Sequence, residues 1–259
     1  MKGMFIFIKK ELIESVKTYR ILVLAAVLLL FAISSPPLAK FTPQLLNAVL
    51  GSDAAAMGLD IFIPDPVFTD AYLQFFKNVT QIPVPILIFI VSALIAGERS
   101  KGTYIIPLSK GLKRSELVVA KYVTVSAIWS VLYLLGVAIA MLYTVVLFPE
   151  AEVSGFFVAS LMLLINTYVV IAIALFCSTI AKSTVSATMF AFLMWCAFSG
   201  TSFIPKVKNI SPVYLSDNSM AIIHKAVGIS DFIPALICSV VLIAVLLSAS
   251  VLHFNRQEI

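Results

Sequence analysis

Residues 97–114 read GERSKGTYIIPLSKGLKR, and they determine how the rest of the chain is laid out. Five cations, Arg99, Lys101, Lys110, Lys113 and Arg114, stand against one acid, Glu98, in a chain that is 61% hydrophobic and only 12% charged. One apolar run enters this stretch at about 79–97 and another leaves it at about 122–147. Each is long enough for the roughly 20 residues that cross a hydrocarbon core as a helix. The basic stretch is therefore a loop between two spans, and its charge marks the side of the membrane on which it lies.

Further runs of this kind occur at about 21–39, 156–181, 184–204 and 233–253, making six spans. With a mean hydropathy of +1.07, the chain is far too apolar for a soluble domain, where about 25% of residues are charged. The fold class is all-α: a polytopic membrane protein that forms a single transmembrane domain over 1–259. The first span follows a basic stretch, and no small-residue cleavage site comes after a short apolar region, so it reads as a retained span. Pro83 and Pro85 remove two backbone donors near the outer end of the second span, and neighbouring groups must satisfy the freed carbonyls.

Lys2, Lys9, Lys10, Lys17, Arg20, Arg99, Lys101, Lys110, Lys113, Arg114, Lys121, Lys182 and Arg256 fall on one side. Only Lys40, Lys77, Lys206, Lys208 and Lys225 fall on the other, where most of the acids lie. The positive-inside rule places both termini in the cytoplasm, and the cell membrane is the expected location. Cys177, Cys196 and Cys238 all lie inside predicted spans, as packing residues rather than a disulfide or metal framework.

Residues 1–20 read as an amphipathic helix at the membrane interface. Phe5, Ile8, Leu12, Val16 and Tyr19 are spaced three or four apart, while Lys9, Lys10, Glu14 and Lys17 take other faces and can meet anionic headgroups. Two outer segments, 40–78 and 205–232, are too long for simple turns. In the first, short helices around 45–50 and 67–76 are expected to lie over the outer mouth. Either segment could gate a substrate path or cap the bundle. The remaining connections are short, so spans three to five run as antiparallel neighbours.

Within the six spans Asp, Glu, Lys and Arg occur only at the ends. Ion-coupled carriers keep ionisable groups at depth, so coupling to an ion gradient within this chain is disfavoured. Tyr133, Tyr143, Asn166, Thr167, Tyr168, Ser178 and Thr179 are the polar groups at depth, suited to hydrogen bonding between helices. His224 and His253 fall on opposite sides, which excludes a paired catalytic or metal site, and no metal or nucleic-acid partner is implied. The sequence has no G-x-x-x-x-G-K-[ST] phosphate loop, so work against a gradient needs an energy source in a partner.

Between the cations of the opening stretch lie Ile105, Ile106, Pro107 and Leu108, with Ser115 placed to N-cap the helix that follows. A loop that only held headgroups would explain the charge but not this apolar set. A short helix docked on a cytoplasmic protein explains both.

Glu98-Arg99-Ser100-Lys101-Gly102-Thr103, followed by Leu108-Ser109, Arg114, Glu116 and Lys121, resembles the E-x-x-x-G-T…L-S…R-x-E…K signature of ABC-2-type transporter permeases. Lys10-Glu11-Leu12 near the start and the last six residues are similar to the ends of that family, and the six-span layout matches throughout. Gly111 stands where many members carry proline. The resemblance implies that 98–121 forms a coupling helix inserted into a cytoplasmic ATPase subunit. Glu98, Gly102, Thr103, Ile105, Ile106, Leu108, Lys110, Lys113, Arg114 and Lys121 would make up the docking unit. Ile105, Ile106 and Leu108 would supply the contact, Lys110, Lys113 and Arg114 would meet an acidic rim or lipid headgroups, and Glu98 and Lys121 would orient the whole. It further implies pairing with a second permease subunit, identical or not. ATP and Mg2+ would be held in the partner, leaving this chain without a cofactor or catalysis of its own. An uncharged interior suits export of an amphipathic peptide, lipid-like or drug-like substrate. A membrane anchor or sensory protein that binds a cytosolic partner without transport is the competing reading.

Overall fold

The computed structural model describes residues 2–56, 65–109, 111–224 and 226–256. The order is α1 (Lys2–Lys17), α2 (Arg20–Ala56), α3 (Phe68–Gln81), α4 (Pro83–Ser100), α5 (Ile105–Ser109), α6 (Arg114–Leu147), α7 (Val153–Ile180), α8 (Thr184–Ser199), α9 (Tyr214–Asp217), α10 (Ser219–Ile223) and α11 (Ile233–Asn255), with 3-10 turns at Gly200–Phe203 and Ile229–Phe232. No strand occurs among the described residues. Six helical stretches are long and apolar enough to cross a membrane.

α7 is the central helix, packed against α4, α6, α8 and α11. Its polar residues are spent on neighbours. Thr167 Oγ1 accepts from Trp129 Nε1 at 2.7 Å, and Tyr133 donates to the Ser160 carbonyl at 3.1 Å. Ser178 Oγ accepts from the Ile95 and Ala96 amides and donates to the Ser92 carbonyl. In lipid such groups have no water to turn to, so each bond fixes a helix register.

The structure lengthens the second span. Its helix starts at Phe68, breaks after Gln81 and resumes at Pro83, which sits in the first turn of α4 where a missing N–H costs little. The prolines thus lie mid-span rather than near the outer end. The helix around 67–76, expected over the mouth, instead forms the first part of the stretch Phe68–Ser100, which is long and apolar enough to cross a membrane as one span. Tyr72, Phe75 and Val79 are wholly buried, and Tyr72 stacks on Phe156 of α7 at 4.0 Å. The patch around 45–50 belongs to α2, a single helix of 37 residues, rather than to a separate element. A run of phenylalanine and tyrosine at helical spacing suits a mouth helix and a core helix equally well, and only packing separates them. In the second outer segment α10 lies on the start of α7, where a Cβ at Gly155 would meet Ile223 Cα at 3.0 Å.

Candidate functional site

Three elements meet at the basic face through one lysine. Lys121, in the first turns of α6, has a fully buried side chain. Its Nζ donates to Glu11 of α1 at 3.1 Å and to Glu98 of α4 at 2.7 Å, with the Phe7 ring 5.7 Å away. The two carboxylates supply the hydrogen bonds that a buried ammonium requires. Glu98 and Lys121, which bracket the basic stretch in sequence, are therefore in contact, closing it into a loop.

Glu11 and Phe7 are the members that sequence reasoning missed. The spacing of α1 pointed to the stripe Phe5, Ile8, Leu12 and Val16. In the structure Phe5, Leu12 and Val16 are exposed, at 65, 38 and 64%, and Ile8 is half-buried. The face packed on the bundle is Phe7, Glu11 and Ser15, one turn apart. A carboxylate on an inward stripe between two apolar ones was the available signal. Lys9 is exposed. Lys10 bonds Glu11 and Glu14. Burial alone would lower the Lys10 pKa, but the bonds and charges of Glu14 and Glu11 outweigh it and raise the value above normal. The same bond from Lys10 holds Glu14 below the usual carboxylate range.

The loop itself is built from two glycine stops. α4 ends in a Schellman motif: Thr103 N–H donates to the Glu98 carbonyl at 3.0 Å and Gly102 N–H to that of Arg99 at 3.1 Å, with Gly102 at φ +68°. α5 ends in the same way, Leu112 N–H donating to the Pro107 carbonyl and Gly111 N–H to that of Leu108, with Gly111 at φ +88°. That angle is closed to proline, whose ring fixes φ near −65°. Thr103 is exposed beside the first stop.

Between these stops α5 is two-sided. Ile105 and Ile106 are 42 and 57% exposed. Leu108 packs inward on the core, and Tyr104 meets the Phe254 ring edge-on at 6.2 Å. Leu108 therefore does not belong to an exposed contact. Lys113 is exposed. Lys110 lies outside the described residues.

Arg114 has a different role from the one expected. Instead of facing outward, its guanidinium donates to the Phe254 and Asn255 carbonyls at 2.9 and 3.0 Å and lies over the Phe254 ring. A cation at the C-terminal end of α11 satisfies carbonyls the helix leaves open and complements its dipole. Arg114 opens α6, and Glu116 accepts from the Lys113 amide at 3.3 Å, so the N-cap is Lys113 and Ser115 lies within the helix. Phe254 gave no signal in the sequence, because its use depends on where α11 ends.

Beside the triad lies a cleft of about 810 Å³ bounded by α1, the end of α4, the α5 turn and the start of α8. Lys10, Glu14, Arg20, Glu98 and Lys101 line it alongside Phe7, Leu94 and Ile106. Among the described residues no cluster of His, Cys, Asp and Glu is suited to hold a metal.

A family model described as ABC-2 family transporter protein matches residues 5–207. An uncharacterized transmembrane protein, YxlG of Bacillus subtilis (strain 168), is 21% identical over 259 residues, covering all of this chain and 99% of its own length. The matched region runs from α1 through α8 and includes the whole Glu98 to Lys121 loop.

Proposed function

Because the chain belongs to the ABC-2 transporter family, we propose that it is the membrane-spanning permease subunit of an exporter powered by separate cytoplasmic ATPase subunits. Its substrate would be amphipathic or hydrophobic. The observation that carries this reading is the exposed Ile105–Ile106 pair on a five-residue helix held between two Schellman turns. Two β-branched apolar side chains on a charged loop gain nothing from water, and a protein groove covers them.

The anchoring of the loop supports a mechanical role. A push on α5 reaches α1, α4 and α6 through Lys121, and reaches α11 through Arg114 and Tyr104. Buried hydrogen-bonded contacts carry such a displacement as a rigid unit, because packed interiors yield little. ATP and Mg2+ belong to the partner, and a second permease subunit completes the translocation path. The stripe Phe5, Leu12 and Val16 lies in the membrane interface. The basic face is cytoplasmic, as the positive-inside rule requires.

The test is co-expression with the cognate ATPase subunit. Ile106→Asp combined with Lys113→Glu should abolish stimulation of ATP hydrolysis and transport while membrane insertion persists. Arg114 is left intact because its bonds hold α11. Unaltered transport in that double variant would refute the docking role. Stable complex formation without any transport would support the anchor or sensory reading instead.

A further inference from the structure

We propose that the cleft beneath α1 binds one anionic phospholipid from the leaflet next to the basic face. Arg20 and Lys101 would hold its phosphate, and the start of an acyl chain would lie against the apolar mouth between α2 and α4. The first support is charge. The cleft is lined by three cations, Lys10, Arg20 and Lys101, and two acids, Glu14 and Glu98. Both acids are already engaged, Glu98 with Lys121 and Glu14 with Lys10. Among the described residues neither Arg20 nor Lys101 forms an ion pair. The wall therefore carries one positive charge in excess, which a single phosphodiester balances. Lys101 is the C-cap of α4, where a cation is favoured and stays within reach of the cleft.

The second support is shape. An apolar crevice lined by Ile21 and Leu24 of α2, Leu87 and Ile90 of α4, and Val125 and Ile128 of α6 adjoins the cleft. The two spaces share Arg20 and Leu94. A charged compartment of about 810 Å³ lies in the range of ordinary ligand sites, roughly 300–1,000 Å³. Its continuation is a slot with scarcely any polar surface along the span helices. The crevice itself is small, about 20 Å³, but its open apolar mouth offers a place for the first methylenes of an acyl chain, whereas a soluble anion or an acidic peptide would use the cleft alone.

The turn between α1 and α2 gives a third indication. Tyr19 sits there at φ 58°, a left-handed conformation that is unfavourable for a non-glycine residue. The turn sets α1 aside from the line of α2, leaving Arg20 at the junction of cleft and crevice. Tyr19 is 69% exposed, and an aromatic ring with a polar tip is favoured at headgroup depth.

The experiment uses the full chain alone, so its failure would leave the ATPase partnership standing. The protein is placed in nanodiscs of phosphatidylcholine containing increasing phosphatidylglycerol of matched acyl chains, and retained lipid is counted by native mass spectrometry. One phosphatidylglycerol per chain should survive removal of bulk lipid, in preference to phosphatidylcholine. Arg20→Gln with Lys101→Gln should reduce that preference roughly thirty-fold, the combined effect of two interfacial cations. Ile90→Trp, at a partly exposed position, should displace the lipid with every charge in place. Equal retention of both lipids, or an unchanged preference in the Gln double variant, would overturn the proposal. So would full retention in Ile90→Trp, or displacement of the lipid by inorganic phosphate or polyglutamate.

Discussion

Replacing Lys121 with methionine removes an ammonium that two carboxylates share and leaves a side chain of similar length. Both carboxylate oxygens lie within 3.1 Å of the same nitrogen, and so within about 6 Å of each other. At an effective dielectric of about 20, two like charges at that separation repel by about 3 kcal/mol. Lys10 bonds the other Glu11 oxygen at 3.0 Å but is itself half exposed, so it screens only part of this. Loss of one partner from a buried pair costs about 3–5 kcal/mol, and the variant should fall near the lower figure because Glu98 retains 19% exposure. For a chain of this size the corresponding drop in Tm is about 6–12 °C. Cys177 is buried and free, so in a Cys196→Ser/Cys238→Ser background its reaction with a maleimide dye on heating reports unfolding. Adding Glu11→Gln and Glu98→Gln to Lys121→Met removes the repulsion and should recover most of the loss, because the neutral amides can bond each other. A Tm for Lys121→Met within about 2 °C of the parent would refute the reasoning. A triple variant no more stable than the single would do the same.

Three further outcomes follow from the loop and from α1. Gly111→Pro forces φ away from +88° and deletes the amide that donates to Leu108, so the α5 stop should fail. ATPase stimulation by the co-expressed subunit should drop several-fold while the thermal transition of the bundle stays within about 2 °C. Arg114→Gln strips a charged donor from two carbonyls at the end of α11, a loss of about 1.5–3 kcal/mol. Amide exchange in the peptide around residues 253–256 should accelerate by about tenfold or more, while exchange in α7 is unchanged. The Lys10–Glu14 pair is an exposed i,i+4 contact worth no more than about 0.5 kcal/mol. With Glu14 held below its ordinary 4.5 and Lys10 above its ordinary 10.5, this increment is complete between those values. It is lost as pH falls through the lowered Glu14 value or rises through the raised Lys10 value. Lys10→Gln should flatten both shoulders of a Tm–pH profile.

The spans were readable because their cause is local. A run such as 156–181 has only one low-energy place to be, and the cations beside it record which face it turns to. Gly102 and Gly111 were visible only as motif positions, and the helix stops they make, with their Schellman geometry, were not read from the sequence. What the sequence did not reveal was partner choice. Glu98 and Lys121 were both visible at the edges of the loop, but nothing in their neighbourhood says that Glu11, some ninety residues before Glu98, completes their contact. The spacing on α1 picked out Phe5, Ile8, Leu12 and Val16, yet the packed face is the adjacent one holding Phe7, Glu11 and Ser15. Periodicity reports that a helix has two chemistries, and lipid and protein compete for the same one.

Arg114 shows where the remaining ambiguity comes from. A basic loop at a membrane edge offers each cation three destinations, namely headgroups, a soluble partner, or the open carbonyls of a neighbouring helix end. All three reward the same residue type. The choice is made by the geometry of the end of α11, which brings the Phe254 and Asn255 carbonyls within 3.0 Å of one guanidinium nitrogen, Nη1, and lays the planar group over the Phe254 ring. Lysine keeps the charge and has three donors on one nitrogen, but its side chain ends one bond short of the Nη1 position and has no planar group to lie over the Phe254 ring, so Arg114→Lys should reproduce much of the exchange defect of Arg114→Gln. Protection restored to the parental level by lysine would mean that charge alone, acting on the helix dipole, fixes the end of the last span.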